Sequence, residues 1–149
     1  MPEIRITQQE AEALIRMEKR RVDDEHCFFP SLGGPIRVPL ISHDRREEFM
    51  LDITRGTIEL KKCTFQNRAR SVIVLVRLDI AGSPHRNPDD TEIPAPHLHL
   101  FREGYGDKWA IPVPVEDFPN LHDLYLCLDD FMRYCNITLK PFIDREIFA

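Results

Sequence analysis

Residues 94–113, PAPHLHLFREGYGDKWAIPV, constrain the fold more than any other stretch. Side chains along a strand alternate between the two faces of a sheet, so His97, His99 and Phe101 point one way and Leu98, Leu100 and Arg102 the other. Glu103-Gly104-Tyr105-Gly106-Asp107 supplies a backbone permissive enough for a short reversal. Trp109, Ile111 and Val113 then alternate with Lys108, Ala110 and Pro112. So short a connection cannot make a parallel crossover, so the paired strands must be antiparallel. An antiparallel hairpin with a chemically rich face is the first expectation.

The rest of the chain fits the same kind of sheet. Thr7-Gln8-Gln9-Glu10 is a capping-box pattern that opens a helix. Ala11, Leu14, Ile15 and Val22 form its apolar stripe, with Glu12, Arg16 and Lys19 outside and its end near Asp23-Asp24. Strands are expected over 36–42, 49–55, 57–66 and 72–80. The run Val72-Ile73-Val74-Leu75-Val76 is apolar on both faces and belongs in the middle of the sheet. A second helix starts near Asn120, with Asp123 in its first turn. Its stripe of Leu121, Leu124, Leu128, Phe131 and Cys135 covers the sheet, Asn136 caps its end, and Pro141 stops continuation. The expected fold class is α+β: a five- or six-stranded, largely antiparallel sheet between an N-terminal and a C-terminal helix, forming one domain over residues 1–149.

Composition narrows the function classes. No run has the apolar length needed to span a bilayer, and MPEIRITQQE lacks the apolar core of a signal peptide, so the cytoplasm is the expected location. Cys27, Cys63, Cys127 and Cys135 form no CxxC motif and are expected reduced and mostly packed. A net charge of −5 speaks against a generic polyanion binder. The charge is unevenly spread, however. Arg55, Lys61, Lys62, Arg68, Arg70 and Arg77 stand against Glu59 alone in residues 55–77, whereas residues 103–149 carry nine acidic side chains, Glu146 among them, against four basic ones.

The candidate site is the hairpin. Imidazoles two residues apart on a strand lie about 6–7 Å apart at Cα, which suits acid and base flanking one phosphate, or two ligands on one metal. His97 and His99, with Tyr105 and Lys108, are the candidate catalytic residues. Arg68, Arg70, Arg77, Arg102 and Trp109 are the candidate substrate-binding residues, because arginine forks match phosphates and aromatic rings stack on bases. The loop over 66–71 bears two of these arginines. The long loop over 81–95 carries His85 and Arg86 into His97, and loops of that length in small domains commonly have a function. No cofactor and no metal is expected. Two histidines are too few for a closed zinc site, and a metal would need a third ligand such as His85 or Asp107.

The runs Phe49-Met50-Leu51-Asp52-Ile53, Lys62-Cys63-Thr64-Phe65-Gln66-Asn67-Arg68, Pro96 to Ala110 and Asp130 to Ile137 together resemble a family of small bacterial proteins of unknown function. The resemblance implies a bacterial or prophage cytoplasmic protein and transfers no catalytic residues. Two function classes follow. One is RNA binding or metal-independent RNA cleavage, toxin-like, at the histidine hairpin. The other is a non-enzymatic accessory module of a mobile element or prophage that engages a protein partner. The expected partners are RNA or a protein, with no membrane and with a homodimer as a further option.

Overall fold

The structure is a computed structural model and describes residues 5–145. Met1 to Ile4, and Glu146 of the acidic C-terminal end, lie outside the described residues. Helix α1 (Gln8–Arg16) opens on the expected capping box: the Thr7 hydroxyl accepts from the Glu10 amide while the Glu10 carboxylate reaches back to the Thr7 amide. The helix stops well before Asp23. Its continuation turns into strand β1 (Lys19–Arg21) because Lys19 is a buried anchor and not an outward-facing helix residue. The Lys19 ammonium donates to the Ile15 and Met17 carbonyls at 2.8 and 2.9 Å and to the Cys135 carbonyl at 2.7 Å. It therefore neutralises the negative ends of both helices at once. Burial pulls its pKa down to about 8, so the group still carries its charge at neutral pH.

The main sheet is wider than the sequence suggests. After β2 (His26–Phe28) come the long strands β3 (Pro35–Ser42), β4 (Glu48–Arg55), β5 (Cys63–Ala69) and β6 (Ile73–Asp79). Short strands β7 (His85–Arg86) and β8 (Glu92–Ile93) precede β9 (His97–Leu100) and β10 (Ala110–Pro112). Helix α2 (Leu124–Tyr134), β11 (Ile137–Leu139) and β12 (Phe142–Asp144) close the chain. Eight strands form one sheet in the order β10-β9-β6-β5-β4-β3-β1-β11, while β12-β2 and β7-β8 make two small ribbons. Pairing is antiparallel apart from β1 with β11 and β12 with β2. The two strands missing from the expected count, β1 and β11, are three residues each, too short to show alternation.

Two boundaries moved for identifiable reasons. Residues 57–62 are a loop, closed by the Gly56 amide on the Lys62 carbonyl, and β5 starts at Cys63. At its other end β5 runs on to Ala69, and the reversal is a tight turn at Arg70 and Ser71, both at positive φ. Such turns usually announce themselves with Asn or Gly; this pair does not, so the sequence reads as a longer loop.

Both helices lie on one face of the sheet, not on either side of it. Ala11 and Leu14 of α1 and Cys127, Leu128, Phe131 and Met132 of α2 share one apolar cluster with Phe49, Leu51, Ile53, Phe65 and Leu75. Asp123 is the α2 N-cap, accepting from the Tyr125 and Leu126 amides, and Asn136 takes the left-handed conformation after the helix. The four cysteines are free thiols, and Cys63, Cys127 and Cys135 are buried, as expected. No helix of the described residues is long and apolar enough to cross a membrane.

Among the described residues no helix lies on the opposite face of the sheet, which is largely polar. Two polar cross-strand rows lie on it. One runs Arg37, Asp52, Gln66, Arg77, His99, and the other Thr54, Thr64, Asp79, His97. A β-bulge at Asn67/Arg68 brings Arg77 and Asp79 into these rows; without it the alternation of β6 would turn them to the other face.

Replacing Lys19 by Met removes the donor shared by three carbonyls while keeping the side chain's length. Orphaning buried acceptors makes a loss of about 3 kcal/mol the expected outcome. It would be read as a lowered urea midpoint at unchanged slope.

Candidate functional site

The second row ends in a cluster of chemically active groups. Asp79, the last residue of β6, presents Oδ2 to His97 Nε2 at 3.0 Å and to His99 Nε2 at 3.1 Å. Its Oδ1 accepts from the Thr64 hydroxyl at 3.0 Å. Arg77 donates to Asp107 Oδ2 at 2.8 Å, lies 3.3 Å from Asp79 Oδ2, and comes within 3.0 Å of His99 Nε2. Burial alone would raise the Asp79 carboxyl. The close approach of His99, the Arg77 charge and the Thr64 hydroxyl outweigh it and hold the group well below the ordinary carboxylate range.

Two of the imidazoles are fixed from behind by backbone. His99 Nδ1 faces the Asp107 carbonyl at 2.7 Å, and His85 Nε2 faces the Lys108 carbonyl at 2.7 Å. A carbonyl only accepts, so each of these nitrogens carries a proton. The His85 ring stands edge-on over His99, with centroids 4.5 Å apart, and 5.9 Å from His97. His97 Nδ1 is buried with no partner among the described residues.

The histidine face of the hairpin is closed to solvent. His97 is 3% exposed and His99 0%. The cover is the loop over 81–95. Asn87 pins it to β10: its Nδ2 donates to the Ala110 carbonyl at 2.9 Å and its Oδ1 accepts from the Ala110 amide at 2.8 Å. Sequence reasoning marked this loop for its histidine and arginine. The residue that holds the loop down is Asn87, whose role depends on a pairing with Ala110, 23 residues further along the chain.

The proposed site residues therefore divide. His97, His99 and Arg77 meet, joined by His85 and Asp107. Lys108 contributes its backbone carbonyl to the cluster. Tyr105, Trp109 and Arg102 form a separate stack at the hairpin tip: Arg102 lies 4.0 Å over the Trp109 ring, and the Tyr105 ring meets Trp109 edge-on at 5.7 Å. Arg68 lies on the same open face but belongs to another centre, a two-pronged ion pair with Asp52 at 2.7 and 3.1 Å. Arg70 is held by Glu47 at the far end of β5. Asp79 and Thr64 were the missed members. The signal for Asp79 was its place where the apolar β6 run ends in a charge.

The sequence matches the model of a family of unknown function, DUF6978, over residues 6–137. The chain belongs to that family. No curated protein and no solved structure matches it. The family match spans both helices, the sheet as far as the first residue of β11, and every residue of the cluster, so the site described above lies wholly inside the family's domain.

Replacing Asn87 by Ala removes both bonds to Ala110. The expected result is a loss of about 2 kcal/mol, together with faster hydrogen exchange at the β9 and β10 amides than in α2. Uniform acceleration throughout the chain would show instead that the loop does not open by itself.

Proposed function

We propose that the protein is a nucleic-acid-binding module that takes single-stranded RNA across the uncovered face of its sheet. The observation that supports this reading is a groove lined by Arg37, Asp52, Thr54, Gln66, Arg68 and Ser71 on that face. Arg37 is exposed there and has no side-chain partner among the described residues, because Asp52, its neighbour across the strands, is already engaged by Arg68 and Gln66. A free guanidinium beside a rigidly held one suits a phosphate, and the adjoining amide and hydroxyls suit sugar and base edges. Binding without cleavage is the form of the reading that the geometry favours. An acid and base for RNA must reach the chain, and both imidazoles lie under the Asn87 loop. A cytoplasmic, bacterial or prophage setting, including a toxin-like role, accords with an RNA ligand and belongs to the same proposal.

Fluorescence anisotropy of a labelled oligouridine tests it. Binding should weaken steeply with salt. Arg37→Ala should lower the logarithmic salt slope by about one, the loss of one phosphate contact. Absence of binding at low ionic strength would remove the reading.

A second reading, a protein-binding accessory module of a mobile element or prophage, has its own support. Ile58 is 91% exposed and Leu60 66%, on the loop that carries Lys61 and Lys62. Next to it, across the Gly33–Gly56 hydrogen bond, Leu32 is also exposed. Apolar anchors among cations fit an acidic protein segment. On this reading a stoichiometric partner co-purifies with the wild-type chain, is lost with Ile58→Asp, and is retained with Arg37→Ala.

A further inference from the structure

The geometry points to a divalent transition-metal site formed by Asp79 Oδ2, His97 Nε2 and His99 Nε2. These three atoms lie within 4.8 Å of one another, with the carboxylate oxygen 3.0 and 3.1 Å from the two nitrogens. Ligands held about 2.0–2.1 Å from a tetrahedral ion stand about 3.3 Å apart. The carboxylate–imidazole distances already match this, and the two imidazole nitrogens, within 4.8 Å of each other, would draw together on binding. Imidazole nitrogen with a single carboxylate favours zinc, iron(II), cobalt or nickel over magnesium or calcium, which take oxygen ligands.

The second observation is the conflict at His99 Nε2. Its Nδ1 already carries the proton donated to the Asp107 carbonyl. Arg77 can only donate, so its approach to Nε2 at 3.0 Å requires a lone pair there. The same nitrogen also lies 3.1 Å from the Asp79 oxygen, to which it can hydrogen-bond only by carrying a proton. One nitrogen cannot accept from Arg77 and donate to Asp79 at once, so one of the two contacts is left without a proton. A metal ion would satisfy the nitrogen and the Asp79 oxygen directly. Arg77 has a place to withdraw to, because its other nitrogen is already bonded to Asp107 at 2.8 Å. The Asp107 carbonyl behind His99 is the outer-shell acceptor that metal-bound imidazoles ordinarily have. His97 must move its proton from Nε2 to Nδ1 on binding, so the neutral ring presents its lone pair to the ion and no net proton is released from it.

Three protein ligands leave a position open to water, as in metal sites that do chemistry, in contrast to closed structural sites. The site and the RNA groove rest on different residues, so either can fail without the other.

The test uses the full chain purified without a polyhistidine tag, stripped with chelator, and titrated with cobalt(II) and then zinc(II). One equivalent of cobalt should bind with the intense visible absorption of a four-coordinate ion, and zinc should displace it. His97→Ala and Asp79→Asn should each weaken zinc binding at least a hundredfold. Arg77→Gln, which keeps all three ligands and removes the competing cation, should tighten it about tenfold and still raise the melting temperature when zinc is added. Wild-type protein that gives no cobalt spectrum at millimolar metal would overturn the assignment. So would zinc affinity unchanged in folded His97→Ala, or Arg77→Gln no tighter than wild type.

Discussion

A carboxylate carried on the inner strands of a sheet has to be compensated where it stands, and the compensation of Asp79 organises this end of the molecule. One oxygen is met by Thr64 from β5, and the other by His97 and His99 from β9 and by Arg77 from its own strand. Hydrogen bonds to it therefore hold three adjacent strands in one register. The requirement extends outward: Arg77 needs Asp107, His99 needs the Asp107 carbonyl, and the hairpin between β9 and β10 must fold back far enough to supply both. A partly compensated carboxylate here would cost more than an apolar residue of the same size, so the network's members are interdependent.

The far edge of the sheet repeats the principle with the opposite sign. Lys19 is as buried as any residue in the core, and its ammonium is satisfied by three carbonyls from the ends of two helices. The Lys19 amide also bonds the Asn136 carbonyl, and β1 lies parallel to β11, so the first and last parts of the domain are joined around one charge. The Phe49 ring beneath the ammonium, 4.8 Å from the nitrogen, gives it a favourable apolar floor.

These two centres explain which parts of the fold were legible. Alternation identified β4 and the paired strands of the hairpin, and the unbroken apolar run over 72–76 identified β6. The capping box fixed the start of α1, and the 3–4 spacing of Leu124, Leu128, Phe131 and Cys135 found α2. What failed were features decided by distant partners. Lys19 reads as a surface helix residue until two helix ends converge on it. The Arg70-Ser71 turn carries no glycine, and the bulge that sets the faces of Arg77 and Asp79 leaves no local mark. In the candidate site the histidine pair was visible from spacing alone. Asp79 becomes its partner only through the β6–β9 register, which pairs Asp79 with His97 and Arg77 with His99.

That register has one more consequence. Arg77 belongs both to the cluster and to the row Arg37, Asp52, Gln66, Arg77, in which each residue faces the next across a strand pair. Its two terminal nitrogens are divided between Asp107 on one side and the Asp79–His99 pair on the other. A change of charge among the buried groups must alter how that division is made, since the guanidinium is the cation they share. Gln66, opposite Arg77, is itself bonded to Asp52, and Asp52 holds Arg68 at the groove. The closed cluster and the open face thus adjoin on one side of the sheet, where Gln66 faces Arg77 across the β5–β6 pair. The buried end is the part with least freedom to adjust, because His99 and His85 are tied to main-chain carbonyls while the groove retains an unengaged arginine.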